Sequence, residues 1–282
     1  MLRAMAAAAL ASLLTVVAAA SSAVGVAEPE DDPEEAVCNS IFEPFAFWLL
    51  QRAACTPYLE VGAPVPGGDA VSFTTRDGRV LRGFRLIAAP PRKGFILVAQ
   101  GNATLAERLL AHLGGLARAG FDVWIYDYRG YAGSEGKRRL KAIVGDYREL
   151  YARLACDVPG ERLLYGMSFG GIVLLNVIGA GTEFDRAVID STPSRIAGYG
   201  CPKRYDPIRN LPADSARLLL IQGARDRVVP AEDSAELLDA AEARAARVMR
   251  SPRFAHPFMD RDADIRRERE TLIHSFLRGG GS

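Results

Sequence analysis

The sequence predicts an α/β protein built on a mostly parallel sheet with helices packed on it. Two observations carry that prediction. Apolar runs of strand length alternate with stretches of helical periodicity along nearly the whole chain, and such alternation builds parallel sheets. One of those runs, Leu163-Leu164-Tyr165, also breaks at Gly166-Met167-Ser168-Phe169-Gly170 and resumes at once as a second apolar run through Asn176. That is the pattern of a buried strand turning sharply into a buried helix. With the first 27 residues set aside, about 255 remain, enough for one large domain with a full core. No internal repeat or second domain is visible.

Taken in order, strands are expected at 71–75, 80–87, 95–99, 123–127, 163–166, 187–190 and 218–222, with a shorter strand-like run at 247–250. Helices are expected at 104–119, 139–155, 168–180, 232–244 and 263–277. Three strand ends matter most. Phe95-Ile96-Leu97-Val98-Ala99 runs into Gln100-Gly101-Asn102-Ala103 before its helix. Leu218-Leu219-Leu220-Ile221-Gln222 ends in Gly223, and Asp226 follows in the loop. The run at 247–250 leads to Phe254-Ala255-His256-Pro257, where the proline favours a loop. In a parallel sheet the loops at the carboxyl ends of the strands carry the site.

Gly166 and Gly170 flank Ser168 because the bend is too tight for Cβ atoms, and the bend lifts the hydroxyl out of the sheet. A serine held in this way attacks acyl carbons, provided a histidine takes its proton and a carboxylate orients the imidazole. The chain has three histidines. His112 and His274 lie in helical patterns and read as surface or packing residues. His256, in its loop, is the candidate base. Asp226 is the candidate acid, and Asp190, at the end of another strand, is its competitor. The order Ser168, Asp226, His256 is the one expected of a strand–serine–helix hydrolase. The backbone N–H of Phe169 and that of Asn102 are the candidate donors to a developing oxyanion.

With these residues in hand, the chain resembles the α/β-hydrolase superfamily, in its esterase, acylglycerol-lipase and serine-aminopeptidase-like branch. The matching residues are Gly101-Asn102-Ala103, Tyr126 through Gly136, Gly166 through Gly171, and Gly223 through Pro230. The resemblance implies an eight-stranded sheet with helices on both faces and hydrolysis through an acyl-enzyme. Family members usually carry His-Gly before the oxyanion asparagine and often glycine before the histidine; here these are Gln100-Gly101 and Ala255-His256.

Residues 1–27 combine Arg3, an Ala/Leu/Val run, and small residues at Gly25 and Ala27, and read as a secretory signal; an uncleaved membrane anchor is the alternative. The expected location is periplasmic or secreted. The acidic stretch from Glu28 to Glu35 reads as a solvated linker, so that 28–60 precedes a hydrolase domain over 61–278. Export makes Cys38, Cys55, Cys156 and Cys201 disulfide candidates. Cys38–Cys55 would clamp the amphipathic segment 41–51 and is favoured. Cys156–Cys201 is left by elimination, although the two sit at opposite ends of the strands. No cysteine–histidine set suits zinc, and no metal or cofactor is expected. With 35 Lys and Arg against 34 Asp and Glu, no general charge favours nucleic acid or an anionic membrane. The segment 191–212, rich in breakers, is expected to form a short non-helical lid, with Tyr199, Tyr205 and Ile208 as candidate pocket residues. The expected substrate is a small ester or thioester with an uncharged, short-to-medium acyl group beside Phe169, Phe258 and Met259. An aminopeptidase, amidase or acyltransferase is the same-fold alternative, and a non-catalytic binding protein the alternative of another class.

Overall fold

The computed structural model of the protein describes residues 32–38, 68–102 and 104–280. Eight strands form one open sheet: β1 (Gly68–Thr74), β2 (Val80–Leu86), β3 (Gly94–Ala99), β4 (Phe121–Tyr126), β5 (Glu161–Met167), β6 (Arg186–Asp190), β7 (Leu218–Gly223) and β8 (Arg247–Ser251). Their spatial order is β1-β2-β4-β3-β5-β6-β7-β8. β2 runs antiparallel to both its neighbours, and every pairing from β4 to β8 is parallel. Strands β3 and β7 are buried at every position, which is why they read as unbroken apolar runs rather than as alternations.

Among the described residues, five helices cover the two faces: α1 (Ala106–Arg118), α2 (Leu140–Asp157), α3 (Phe169–Ile178), α4 (Ala231–Glu242) and α5 (Ala263–Leu277). One core packs Ile143 and Tyr147 of α2, Val173 and Leu174 of α3, and Leu237 of α4 against Leu97, Leu164 and Leu220. The opposite core packs Leu109 and Leu113 of α1 and Ile273 and Leu277 of α5 against Ile96, Val98 and Ile221. Side chains of successive strand residues alternate between the two cores, as the period of a strand requires. The serine turn, the Asp226 loop and the His256 loop therefore all emerge at the carboxyl edge of this two-faced sheet.

Two expectations require correction. Cys38 is bonded to Cys201, not to Cys55, and Cys156 is a free, exposed cysteine. The reason lies in Glu34, in the stretch expected to be a solvated linker. Glu34 is buried instead: its carboxylate accepts from Arg129 Nη1 at 3.3 Å and from the Lys137 N–H at 2.9 Å, while its carbonyl accepts from Arg139 Nε at 3.3 Å. Arg129 is itself buried, paired with Asp146 Oδ1 at 2.5 Å and with Asp77 Oδ2 at 2.5 Å. This anchor brings residues 34–38 across the start of α2, where Cys38 packs with Leu140, Val144, Ile196 and Tyr205. Cys55, the expected signal at 1–27 and the amphipathic segment 41–51 lie outside the described residues. Among the described residues no helix is long and apolar enough to cross a membrane.

Residues 191–212 carry three short 3₁₀ turns, Ala197–Tyr199, Lys203–Tyr205 and Pro207–Asn210, and no α-helix. The structure separates the three residues assigned to a pocket there. Tyr199 is 70% exposed, Tyr205 is buried beside Ile172 and Ile196, and Ile208 packs on the larger core.

Asp127 follows β4, and its buried carboxylate accepts the N–H of Ala106, the first residue of α1, at 2.9 Å. Burial outweighs that hydrogen bond and pushes its carboxyl up to about 6. Between about pH 4 and that value the folded protein keeps a proton on Asp127 that the unfolded chain has released. Stability from this group is therefore present at low pH and falls as pH rises through the window. Asp127→Asn keeps an acceptor for Ala106 and removes the charge. Its Tm relative to the native protein should become more positive between about pH 4.5 and about pH 7.5. A difference independent of pH in thermal melts would show that burial of Asp127 is not what the protein responds to.

Candidate active site

Ser168 sits between β5 and α3 with φ 54° and ψ −120°, a backbone conformation that residues with a Cβ rarely adopt. Such strain costs on the order of 1–3 kcal/mol and persists only where the surroundings enforce it. Here the Ser168 N–H donates to the Asp190 carbonyl at 2.8 Å, which fastens the turn to the end of β6. A Cβ on Gly166 would lie 2.7 Å from the Gly170 carbonyl, and one on Gly170 would run into the Ala99 carbonyl. The strand, the helix and the end of β3 can close on the turn only because both positions are glycine. Residues 163–167 and 170–178 are buried, so Ser168 and Phe169 are the two positions of this stretch left partly open.

The loop after β3 stands beside the serine: a Cβ on Gly101 would lie 3.6 Å from that of Ser168. Its support comes from the Tyr128–Tyr131 segment. The Tyr128 hydroxyl donates to the Gln100 carbonyl at 2.5 Å, and its ring meets Phe169 edge-to-face with centroids 5.3 Å apart. Burial holds the Tyr128 phenol well above its ordinary range, so it stays a donor. The Tyr131 hydroxyl bonds the side-chain oxygen of Asn102. Gln100 turns inward and donates from Nε2 to the Tyr126 carbonyl at 2.9 Å. This bond ties the loop to β4.

Asp226 and His256 meet. Oδ2 of Asp226 lies 2.8 Å from Nδ1 of His256, and Oδ1 accepts the N–H groups of Val228 and Val229 at 2.9 Å each. Burial alone would push this carboxyl up, but the imidazole and the two amides outweigh it and hold it below the ordinary value. Asp226 is therefore ionised at neutral pH, and the bond to Nδ1 leaves Nε2 as the outward ring nitrogen. Asp190 is fully buried, and burial raises its carboxyl. Its partners are Ser191, whose hydroxyl donates to it at 3.2 Å, and Arg269, not a histidine nitrogen.

The other two histidines pack helices. His112 Nδ1 bonds Glu270 Oε1 at 2.7 Å, and its ring lies 5.0 Å from that of Phe258. His274 is packed against the Gly115 side of α1. Phe258 is thus taken up in packing against α1, and both it and Met259 stay partly exposed. Among the described residues, no group of histidine, cysteine or acidic side chains could hold a metal ion.

Comparison with known proteins decides the family. The family described as "Serine aminopeptidase, S33" matches residues 90–211. The uncharacterized protein YfhR of Escherichia coli is 31% identical over 251 residues, covering 79% of this chain and 88% of that protein. The chain belongs to the α/β-hydrolase superfamily. Solved structures agree on the fold. The Pyrococcus furiosus esterase Pf2001 superposes with a TM-score of 0.62 at 18% identity, over 78% of this chain and 97% of that one. XC6422 from Xanthomonas campestris, described as an a/b serine hydrolase without lid, superposes with a TM-score of 0.56 at 17% identity, over 77% and 94%.

Within this hydrolase fold, the support given by Tyr128 and Gln100 escapes a reading of local pattern. Each bond joins the ends of the neighbouring strands β3 and β4, 26 and 28 residues apart along the chain. Tyr128→Phe leaves the ring and removes the donor to the Gln100 carbonyl. A buried acceptor left unpaired costs about 1–3 kcal/mol. A fall in thermal or urea stability of that size is expected, and an unchanged unfolding midpoint would show that the loop does not depend on this bond.

Proposed function

We propose that the protein is an exported serine hydrolase that cleaves carboxylic esters or thioesters through an acyl-Ser168 intermediate. The observation that carries this reading is the buried Asp226–His256 pair, held at 2.8 Å on the same carboxyl edge of the sheet as the strained Ser168 turn. Asp226 fixes the imidazole with Nδ1 protonated, so Nε2 is the basic nitrogen. His256 takes the Ser168 proton as Oγ attacks the acyl carbon. The carbonyl electrons move onto oxygen, where the N–H groups of Phe169 and Asn102 stabilise the charge. Collapse expels the alcohol or thiol, which receives the proton from His256. Water then gives one proton to His256 as its oxygen attacks the acyl carbon; the acyl–Oγ bond breaks, the acid leaves, and His256 returns the proton to Ser168 Oγ.

Export is supported by the secretory pattern of residues 1–27 together with the Cys38–Cys201 bond, since such bonds persist in oxidising compartments. The substrate is a small ester whose acyl group meets an open rather than a capped site, because residues 191–212 form only short turns. The family description raises aminopeptidase activity, which requires an acid to receive the substrate's ammonium. The one acid in 191–212 is Asp206, which is fully buried and turns Oδ1 to the N–H groups of Ile196 and Ala197 at 2.8 and 2.9 Å, out of reach of a substrate ammonium. Ester chemistry is therefore the better reading.

A fluorophosphonate probe should label the native protein and leave Ser168→Ala unlabelled; equal labelling of the two would sink the proposal. Asp226→Asn should lower kcat by about 10³–10⁴-fold, the loss seen when a triad carboxylate is neutralised. With p-nitrophenyl esters, kcat/KM should be higher for acetate through octanoate than for palmitate, because an open site buries few methylenes at about 0.8 kcal/mol each. A steady rise through palmitate would mean that the acyl chain is covered after all.

A further inference from the structure

The C-terminal helix reaches the candidate site through one residue that the proposed chemistry does not use. Arg269 is buried midway along α5. Its Nη2 donates to the Ala255 carbonyl at 2.9 Å, and its Nη1 lies 3.3 Å from Oδ2 of Asp260. Oδ1 of the same Asp260 accepts the Ala255 N–H at 2.8 Å. Both main-chain polar groups of the residue before His256 are thus held by one buried ion pair. The guanidinium also lies 4.6 Å from the centre of the Phe254 ring. From its Nε, Arg269 faces Oδ2 of Asp190 at 3.4 Å. Asp190 is the residue whose carbonyl accepts the Ser168 N–H.

We propose that Arg269 is a positioning residue, which sets the seat of His256 against Ser168 by joining the histidine loop, through Ala255 and Asp260, to the strand end that pins the serine, through Asp190. The proposal rests on the hydrolase reading above. Buried ion pairs are weak contributors to stability, because desolvation consumes most of what the charges gain. A network of one arginine and two aspartates at this depth is therefore better accounted for by what it orients. An arginine suits the task because its planar fork can hold several acceptors in fixed directions, which an ammonium cannot. Asp190 gains a role as well, as the link between the two halves rather than as the acid that orients the imidazole.

The test compares Arg269→Gln, Arg269→Lys and Ile273→Ala, the last removing buried side chain one turn further along the same helix. With p-nitrophenyl acetate, Arg269→Gln should lower kcat about 10²-fold, the scale of an ångström-sized misplacement, with KM little changed. Arg269→Lys should recover part of that loss. Ile273→Ala should lower Tm while leaving kcat intact well below the melting point. The low-field proton resonance of His256 Nδ1–H should shift or broaden in Arg269→Gln and stay in place in Ile273→Ala. Native kcat in Arg269→Gln would overturn the proposal, as would kcat losses that follow Tm equally in all variants. If Arg269→Gln does not fold, Asp260→Asn, which removes the charge facing Arg269, takes its place under the same criteria. Absence of ester turnover and of Ser168 labelling in the native protein would instead remove the hydrolase reading, and the proton resonance would still judge Arg269.

Discussion

The backbone of Ser168 is the constraint around which the rest of the molecule is arranged. A residue with a Cβ rarely holds φ 54°, and nothing within the turn itself would keep it there. It is kept by packing from several directions: β6 supplies the carbonyl of Asp190, β3 closes over Gly170, and Thr192 stands so near Gly171 that no side chain fits between them. These contacts come from the ends of two different strands, β6 and β3. The sheet must therefore be assembled before the serine can be presented, and the turn is a product of tertiary structure rather than of local preference.

Around that turn, the protein uses buried polar groups as fasteners between loops that the sheet alone would leave independent. Tyr128 joins the β4 loop to the loop after β3, and its ring also touches Phe169. Arg129 draws in Glu34, Asp77 and Asp146, from three separate parts of the chain. The acids respond differently to this common partner. Burial dominates Asp146 and pushes it up to about 6, whereas the hydrogen bond from Arg129 dominates the more exposed Asp77 and lowers it to about 2. Such fasteners order loops without requiring a lid domain to hold them.

What could be read from the sequence was whatever leaves a local trace. Strands buried on both faces appear as apolar runs, helices as periodicity, and the serine turn as glycines at fixed offsets, so all eight strands and five helices fall close to their expected positions. His256 and Asp226 were legible because each follows a strand end and few histidines compete. Glu34 was not, since an acidic stretch beside prolines looks solvated until Arg129, far along the chain, is known to face it. Arg269 was hidden in a helix whose alternating charges resemble a solvated face, and its burial against Ala255, Asp260 and Asp190 distinguishes it from the exposed Arg267 on the same helix. Tyr199 failed for the converse reason: aromatic character in a loop does not say which way the ring points.

The Cys38–Cys201 bond has a bearing on the order in which the molecule is made. It joins residues separated by 163 positions, so the strands from β1 to β6 and the whole serine turn lie inside one covalent ring. Closing a ring of that size restricts the unfolded chain by about 5 kcal/mol in the chain-entropy account. A chain emerging from its amino end presents Cys38 first, then Cys55, then Cys156, and Cys201 last. The native partner is thus the final one to become available, after two shorter rings have already been on offer. Correct pairing cannot be won by proximity along the chain. What selects it is the fold itself: the Glu34–Arg129 bond and the packing of Cys38 against Ile196 and Tyr205 bring the two sulfurs together.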